Sequence, residues 1–211
     1  QLGATVHILD DGFQHLALAR DVDLLLVGEE DLTERVLPGG PLRESLAAAA
    51  RADALLVNAS YSAAADRIGR SLGVPTTFFV TRNMRAPRMI ETGESVVVPT
   101  GDPVFAVAGI ARPDRFFTDL TAAGWRVAGT FEVRDHYRYD QRDVDRIAAQ
   151  AKAVRAAIIL TTEKDAVRLA ICNLAGLPIA YVPLVTSIDP LESFSSWLLD
   201  RVRRARGRER P

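Results

Sequence analysis

Two adjacent carboxylates near the start of the chain, Asp10 and Asp11, are the first residues whose type and position could do chemistry. They follow the apolar run 6–9, which predicts a buried strand. Two carboxylates at the end of a buried strand are costly unless a cation or hydrogen-bond donors neutralise them. Mg²⁺ would suit them, because it takes one or two carboxylates together with phosphate oxygens. A plain polar turn over Asp10-Asp11-Gly12 is an equally good interpretation of these residues alone.

A basic residue follows a rigid loop further along the chain. Residues 37–41 contain two prolines and two glycines, which exclude regular structure, and Arg43 comes directly after them. The Arg43 guanidinium could donate to phosphate or carboxylate, whereas a surface ion pair with Glu44 is the simpler alternative. Paired acids together with a basic loop favour phosphoryl transfer, in which a strand-end aspartate holds the metal.

The C-terminal half contains two more polar groups after predicted strands. His136 could transfer a proton in a cleft, although a capping or core histidine is about as good an interpretation. In the segment 161–165, Thr162 and Glu163 fit a helix N-cap and a first-turn acid, and Lys164 fits a solvated helix residue. This structural interpretation is favoured over a catalytic one.

Strands and helices alternate along the chain in a way that predicts a doubly wound α/β architecture. In such sheets ligands bind at the carboxyl ends of the strands, where Asp10 and Asp11 are expected. Continuous apolar runs predict strands covered on both faces. The predicted strands are 6–9, 22–27, 53–58, 76–81, 104–108, 125–133, 156–160 and, as the last one, 179–182. The predicted helices are 45–52, 62–72, 113–123, a helix of about 14 residues capped by Asp140, 163–171 and 190–202.

The pattern changes between residues 83 and 103, where short strand-like pieces are separated by Gly and Pro. This predicts an α/β domain over 1–82, a linker or β-ribbon over 83–103, and a second, smaller α/β lobe over 104–202. The Arg-rich tail 203–211 is expected to be a solvated terminus, in preference to a contact with an anionic membrane.

Composition places the chain among globular proteins, since 211 residues of which 48% are hydrophobic can bury a sizeable core. A single cysteine, Cys172, excludes an intramolecular disulfide and fits a reducing compartment. No stretch reaches the roughly 20 apolar residues of a membrane-spanning helix. The chain begins on Gln1 and enters a predicted strand almost at once, so we expect the natural protein to continue upstream.

Taken together, these segments resemble the tetraacyldisaccharide 4'-kinase family of lipid A biosynthesis. The two specific motifs are Asp-Asp-Gly-Phe-Gln-His over 10–15 and Leu-Pro-Gly-Gly-Pro-Leu-Arg-Glu over 37–44, and they occur in the family's order. The supporting segments are 20–21, 108–110, 134–137 and 161–166.

The resemblance implies a P-loop-kinase-like parallel sheet and an ATP- and Mg²⁺-dependent kinase. Its reaction would transfer the γ-phosphate to the 4'-hydroxyl of an acylated glucosamine disaccharide phosphate, at the cytoplasmic face of the inner membrane of a Gram-negative-type bacterium. No nucleic-acid partner is implied. By this resemblance Asp10 and Asp11 are the catalytic and metal-binding acids, and they also contact the nucleotide. Gln14 is a further nucleotide contact, and His15 and Arg43 are substrate contacts. His136 is the histidine that pairs with an aspartate to activate the acceptor hydroxyl.

The chain also departs from the family pattern. No G-x-x-x-x-G-K-[ST] loop occurs in it, and the aspartate partner of His136 and an N-terminal anchoring helix are expected upstream. Gly39 replaces the usual alanine and Ser45 the usual proline. We therefore expect an incomplete sheet and a C-terminal portion that is a poor kinase by itself, since the triphosphate lacks its main cradle. The alternative is a non-catalytic remnant that binds anionic lipid or sugar phosphate.

Overall fold

The computed structural model describes residues 5–59, 61–99, 101–174 and 176–207. The chain forms two compact units, one built from residues 1–82 and 186–211 and the other from residues 83–185. Each unit contains its own β-sheet and its own helices, so the predicted α/β class is confirmed. None of the described helices is long and apolar enough to cross a membrane.

The first unit is built on a four-stranded sheet in the order β1-β2-β3-β9. The β1–β2 and β2–β3 pairs are parallel, as the predicted architecture requires. A short 3-10 helix replaces the helix predicted over 45–52, and a second 3-10 helix follows β1, a common form for short helical pieces. The elements are β1 (Leu24–Gly28), 3-10 helices Glu29–Thr33 and Leu46–Arg51, β2 (Ala54–Asn58), α1 (Ser62–Ser71), β3 (Thr77–Met84), β9 (Leu184–Asp189) and α5 (Leu191–Arg206).

The C-terminal helix α5 belongs to this first unit, whereas the sequence placed it in the second lobe. Phe78 of β3 makes edge-on ring contacts with Phe194, at 5.1 Å between centroids, and with Trp197, at 5.7 Å. Arg201 adds an ion pair to Asp53 at 3.2 Å. These contacts depend on β9, a strand that the sequence analysis missed because 179–182 was taken as the last one.

The predicted buried strand over residues 6–9 is wrong. These residues have no regular secondary structure, and Ile8 is 93% exposed, with Val6 and Leu9 about half exposed. An extended segment becomes a strand only when a neighbouring strand satisfies its backbone groups, and within the described residues no strand pairs with this one. The edge strand β1 likewise leaves Leu24 and Leu26 exposed, so only one of its faces is covered.

The second unit is built on a five-stranded mixed sheet in the order β4-β8-β7-β5-β6. Pairs among β5, β6, β7 and β8 are parallel, while β4, from the predicted linker, pairs antiparallel with β8. The elements are β4 (Arg88–Met89), β5 (Pro103–Ala108), α2 (Pro113–Ala122), β6 (Arg126–Glu132), α3 (Gln141–Ala153), β7 (Ile158–Thr162), α4 (Glu163–Leu169) and β8 (Ile179–Val182).

The internal strand β5 is buried on both faces, as its continuous apolar run predicted. Phe105 and Val107 pack into one core with α3, and Val104, Ala106 and Ala108 pack into another with α2. This arrangement places helices on opposite faces of the sheet, which leaves its carboxyl edge open for the loops that follow β5, β6 and β7.

Candidate functional site

The segment 10–18 is a series of hydrogen-bonded turns rather than a strand end. The His15 amide donates to the Gly12 carbonyl at 3.0 Å, and the Leu18 amide donates to the His15 carbonyl at 3.1 Å. A side chain at Gly12 would come within 2.9 Å of Leu9 Cβ, so the tight turn favours glycine there. The turns leave Asp10, Asp11, Gln14 and His15 exposed.

Arg20 holds these turns together. Its Nη1 atom donates to the carbonyls of His15 at 2.6 Å and Leu18 at 3.1 Å. Its Nε and Nη2 atoms donate to the two carboxylate oxygens of Asp23 at 2.6 and 3.2 Å, a bidentate pairing that fixes the guanidinium plane. The sequence indicates Arg20 only as part of a supporting motif. Its spacing of three residues from Asp23 was the available signal for this structural role.

Phe13 anchors the same turns to the core of the first unit. Its partly buried ring packs against that core, and the Arg51 guanidinium lies over the ring face at 5.2 Å from the centroid. The polar residues on either side of Phe13 therefore project from a fixed point. This explains why an apolar residue stands in the middle of an otherwise polar motif.

The two specific motifs meet in an ion pair between Arg43 and Asp11, whose Nη1 and Oδ2 atoms are 2.7 Å apart. The alternative pairing of Arg43 with Glu44 is wrong, because Glu44 pairs with Arg51 at 2.6 Å. The loop before Arg43 closes on itself: the Leu37 amide donates to the Leu42 carbonyl at 2.8 Å. The closed loop presents Arg43 to the segment 10–15.

Asp10, Asp11, Gln14, His15 and Arg43 are called the N-terminal cluster below. Its acids suit Mg²⁺ in the way that phosphate-dependent sites do, since two adjacent exposed carboxylates can share the ion with phosphate oxygens. In the part of the chain that the structure describes, no group of three or more His, Cys, Asp or Glu side chains could hold a metal by itself.

The second unit brings the other motifs together around Asp165, a fully buried carboxylate. Thr162 is the N-cap of α4, as predicted: its hydroxyl accepts from the Asp165 amide at 3.1 Å. The same hydroxyl donates to Asp165 Oδ2 at 2.7 Å, and the Gly109 amide donates to that oxygen at 2.9 Å. The segments after β5 and β7 are thus joined by one buried carboxylate.

Arg168, one turn further along α4, compensates the Asp165 charge. Its Nη1 atom donates to Asp165 Oδ1 at 3.2 Å and to the Gly109 carbonyl at 3.1 Å, and Nη2 lies 3.4 Å from Nδ1 of His136. Gly109, His136, Tyr139, Asp165 and Arg168 are called the Asp165 cluster below. Arg168 is not among the predicted site residues, although its position three residues after Asp165 on a predicted helix is a usable signal.

Tyr139 closes this cluster from the side of the core. Its hydroxyl is buried and makes no hydrogen bond of acceptable geometry in the described structure. Burial, followed by the negative charge of Asp165, raises the pKa of the phenol well above its ordinary value. A Cβ atom at Gly109 would lie within 3.0 Å of the Tyr139 hydroxyl and of Asp165, so this position has little room for a side chain.

His136 is the exposed member of the cluster, with 81% of its side chain accessible, so the core-histidine alternative is wrong. Its amide donates to Asp135 Oδ1 at 2.9 Å, and its Nε2 atom lies 3.7 Å from Asp135 Oδ2. Its φ of 59° lies in the left-handed region, as does the φ of 54° at Asp11. Such backbone is uncommon for residues other than glycine and is concentrated at functional sites.

The structure therefore forms two clusters from the predicted site residues. Asp11 and Arg43 are in direct contact in the first unit, with Asp10, Gln14 and His15 on the adjoining turns. His136 belongs to the second unit.

Comparison with known proteins gives a consistent family match. Residues 1–203 match the family profile described as LpxK, tetraacyldisaccharide-1-P 4'-kinase. The tetraacyldisaccharide 4'-kinase of Gluconacetobacter diazotrophicus is 40% identical over 169 residues, which cover 79% of this chain and 49% of that protein. That of Nitrobacter hamburgensis is 36% identical over 211 residues, covering 97% and 61%. The chain thus spans about half to three-fifths of the length of these relatives.

A solved structure agrees with the sequence matches. The crystal structure of LpxK from Aquifex aeolicus in complex with ATP superposes with a TM-score of 0.59 at 25% identity, covering 91% of this chain and 56% of that one.

Proposed function

We propose that this chain, which belongs to the tetraacyldisaccharide-1-P 4'-kinase family, contributes the carboxylate and histidine clusters of an ATP-dependent lipid A 4'-kinase. The reaction is transfer of the ATP γ-phosphate to the 4'-hydroxyl of a tetraacyldisaccharide 1-phosphate. It takes place at the inner face of the inner membrane, where the acylated substrate resides. The Aquifex aeolicus relative supports the nucleotide, since its structure contains ATP.

The observation that carries this proposal is the 2.7 Å ion pair between Asp11 and Arg43, which are 32 residues apart in the chain. Both side chains are mostly exposed, so the pair gains little stability by itself. An acid and a guanidinium held together at the surface suit a ligand that carries both anionic oxygens and a cation. A Mg²⁺-nucleotide has this composition.

Each residue of the N-terminal cluster has a defined task in this proposal. Asp10 and Asp11 would hold Mg²⁺, which when bound neutralises charge on the phosphates. Arg43 and His15 bind anionic and hydroxyl oxygens of the substrate, and Gln14 contacts the nucleotide. Arg20 and Phe13 do not contact ligand; they keep the turns in place.

His136, which lies in the second unit, is the residue to which we assign activation of the acceptor hydroxyl. Its exposed ring and its support by Arg168 suit a group that must reach a substrate oxygen.

The test is transfer of labelled phosphate from ATP to tetraacyldisaccharide 1-phosphate. The purified 211-residue chain and the longest in-frame product of its gene are assayed with Mg²⁺, each beside its Asp11→Ala variant. We expect product from the longer protein and a loss of at least about 100-fold in the variant, the scale of losing an electrostatic contact to the transition state. Equal activity of wild type and variant would refute the role of Asp11, and absence of product from every natural form would refute the kinase.

A second candidate is a non-catalytic remnant that binds anionic lipid or sugar phosphate. The last turn of α5 favours it, because Arg203, Arg204 and Arg206 are concentrated there. Binding to anionic vesicles that survives in Asp11→Ala, in a protein without transfer activity, is the result that would support this candidate.

A further inference from the structure

We propose that Arg168 is a positioning residue that holds His136 in a single tautomer, with Nδ1 as acceptor and the proton on Nε2. In this arrangement His136 meets its catalytic partner as a hydrogen-bond donor, not as a proton acceptor. The catalytic meaning rests on the function proposed above, whereas the tautomer itself is a property of the second unit.

The two atoms that meet between Arg168 and His136 determine the tautomer. Arg168 Nη2 lies 3.4 Å from His136 Nδ1. A guanidinium has only donors and stays protonated at any ordinary pH, so Nδ1 must supply its lone pair to this contact. A neutral imidazole carries one ring proton, and that proton must then be on Nε2.

The Arg168 guanidinium is itself held in place. Its Nη1 atom is held by Asp165 at 3.2 Å and by the Gly109 carbonyl at 3.1 Å, and only 21% of its side chain is exposed. Asp165 is in turn fixed by the Gly109 amide and the Thr162 hydroxyl. The direction of the Arg168 fork is therefore determined by buried groups, and the exposed imidazole is the movable partner.

The surroundings of the other ring nitrogen, His136 Nε2, leave room for a ligand. Nε2 lies 3.7 Å from Asp135 Oδ2, which is beyond hydrogen-bond distance, so its N–H remains available to an outside acceptor. That acceptor is an oxygen: a carboxylate, or the hydroxyl or phosphate oxygen of a substrate. A carboxylate that accepts this N–H is oriented by it and can take the hydroxyl proton.

The contact between Arg168 and His136 is made by a neutral imidazole ring. The Nδ1 lone pair that accepts from the Arg168 guanidinium is present only in the neutral ring, so the neutral ring is the form that makes this hydrogen bond. The same geometry therefore fixes both the orientation and the tautomer.

The test is the proton position on the histidine rings of the 211-residue chain, read from the ring ¹⁵N shifts at a basic pH beyond which these shifts no longer change. Single His→Gln variants assign the three histidines, and the exposed ring of His15 is the internal reference. We expect the Nδ1-protonated form to be about tenfold rarer at His136 than at His15, the effect of one hydrogen bond from a charged donor.

The decisive variant is Arg168→Lys, which keeps a cation for Asp165 but lacks the second arm of the fork. Its His136 shifts should move to those of His15, while the amide spectrum stays dispersed. Lys164→Ala removes an exposed cation from the same helix and should leave His136 unchanged. Arg168→Ala is informative only if the variant folds. Arg168→Lys and Lys164→Ala test the proposal whether or not Arg168→Ala folds.

Two results would overturn the proposal: a His136 tautomer ratio equal to that of His15 in the wild type, or unchanged His136 shifts in Arg168→Lys. Neither result involves phosphate transfer. A kinase that fails in the assay above, with His136 still in one tautomer, would refute the function and leave the positioning intact.

Discussion

Each unit contains an aspartate–arginine pair beside a candidate site residue, and the two pairs differ in exposure. Asp11 and Arg43 are 65% and 60% exposed, whereas Asp165 and Arg168 are 0% and 21% exposed. Water competes for the first pair, so its charges stay available to a ligand. Burial makes the second pair obligatory, because either charge alone would be costly. An aspartate–arginine pair thus serves as a recognition element in the first unit and as a scaffold in the second.

The largest effect that separates the two pairs is on folding. Asp165→Ala should lower the free energy of unfolding by about 3 kcal/mol, since it breaks a buried pair and leaves the Gly109 amide without its acceptor. Urea unfolding of the 211-residue chain measures this, with Asp11→Ala as the matched control at below about 1 kcal/mol. Equal losses in the two variants would contradict the contrast in burial.

The next effect concerns catalysis, and it tests the donor role of His136. His136→Ala should lower phosphate transfer by at least about 100-fold, and His136→Gln should lose less, because the glutamine amide can still donate near the position of Nε2. Steady-state kcat with saturating ATP is the measurement. If the Gln and Ala variants are equally impaired, the histidine acts as a proton acceptor instead.

A smaller effect is expected at Tyr139, next to the buried pair. Tyr139→Phe removes an unsatisfied buried hydroxyl and should raise the free energy of unfolding by about 1 kcal/mol at neutral pH. Thermal unfolding measures it. A destabilised variant would show that the hydroxyl is hydrogen-bonded to Asp165 after all.

The same residue gives a pH dependence with a definite sign. The pKa of the Tyr139 phenol is raised by burial first and by Asp165 second, so the folded state favours the neutral phenol. Its contribution to stability is complete below about pH 10, the ordinary tyrosine value, and is lost as the pH rises through the folded-state pKa. Stability should therefore fall less steeply above about pH 10 in Tyr139→Phe than in the wild type.

The smallest effect is expected at Arg43. Arg43→Ala should change the free energy of unfolding by less than about 1 kcal/mol, because its partner Asp11 stays solvated. The same variant should weaken binding of the anionic substrate, measured as a raised KM with the chain still folded. A Lys variant is the control, since it keeps the charge but loses the planar fork. A large loss of stability would place Arg43 in the scaffold rather than in the site.

The parts of the fold that could be predicted from the sequence are those determined by local patterns. Asp140 caps α3 as expected, and its carboxylate accepts from the Asp143 amide while the Asp143 carboxylate accepts from the Asp140 amide. Pro113 begins α2 at its first turn, and Gly124, with a φ of 94°, follows its end. These signals lie within a few residues of one another, so no knowledge of the fold is needed to use them.

Features that depend on distant partners could not be predicted. The apolar run 6–9 has the composition of a strand, but composition does not reveal whether another strand is beside it. The contact between Arg168 and His136 joins residues 32 positions apart, and it exists because β5 lies between β6 and β7. The roles of Asp10, Asp11, Gln14, His15, Arg43 and His136 stay predictions.

The path of the chain between the units has a practical consequence. The first unit is discontinuous in sequence, and residues 83–185 form an insertion within it. The chain leaves through β3 and returns through β9, which are neighbours in the same sheet, and the Arg85 amide donates to the Pro183 carbonyl at 2.8 Å. The two ends of the insertion are therefore side by side, as in domains that can be excised or transplanted whole. We expect residues 83–185 to fold when they are expressed separately. A short linker between residues 82 and 186 should then join the two segments of the first unit.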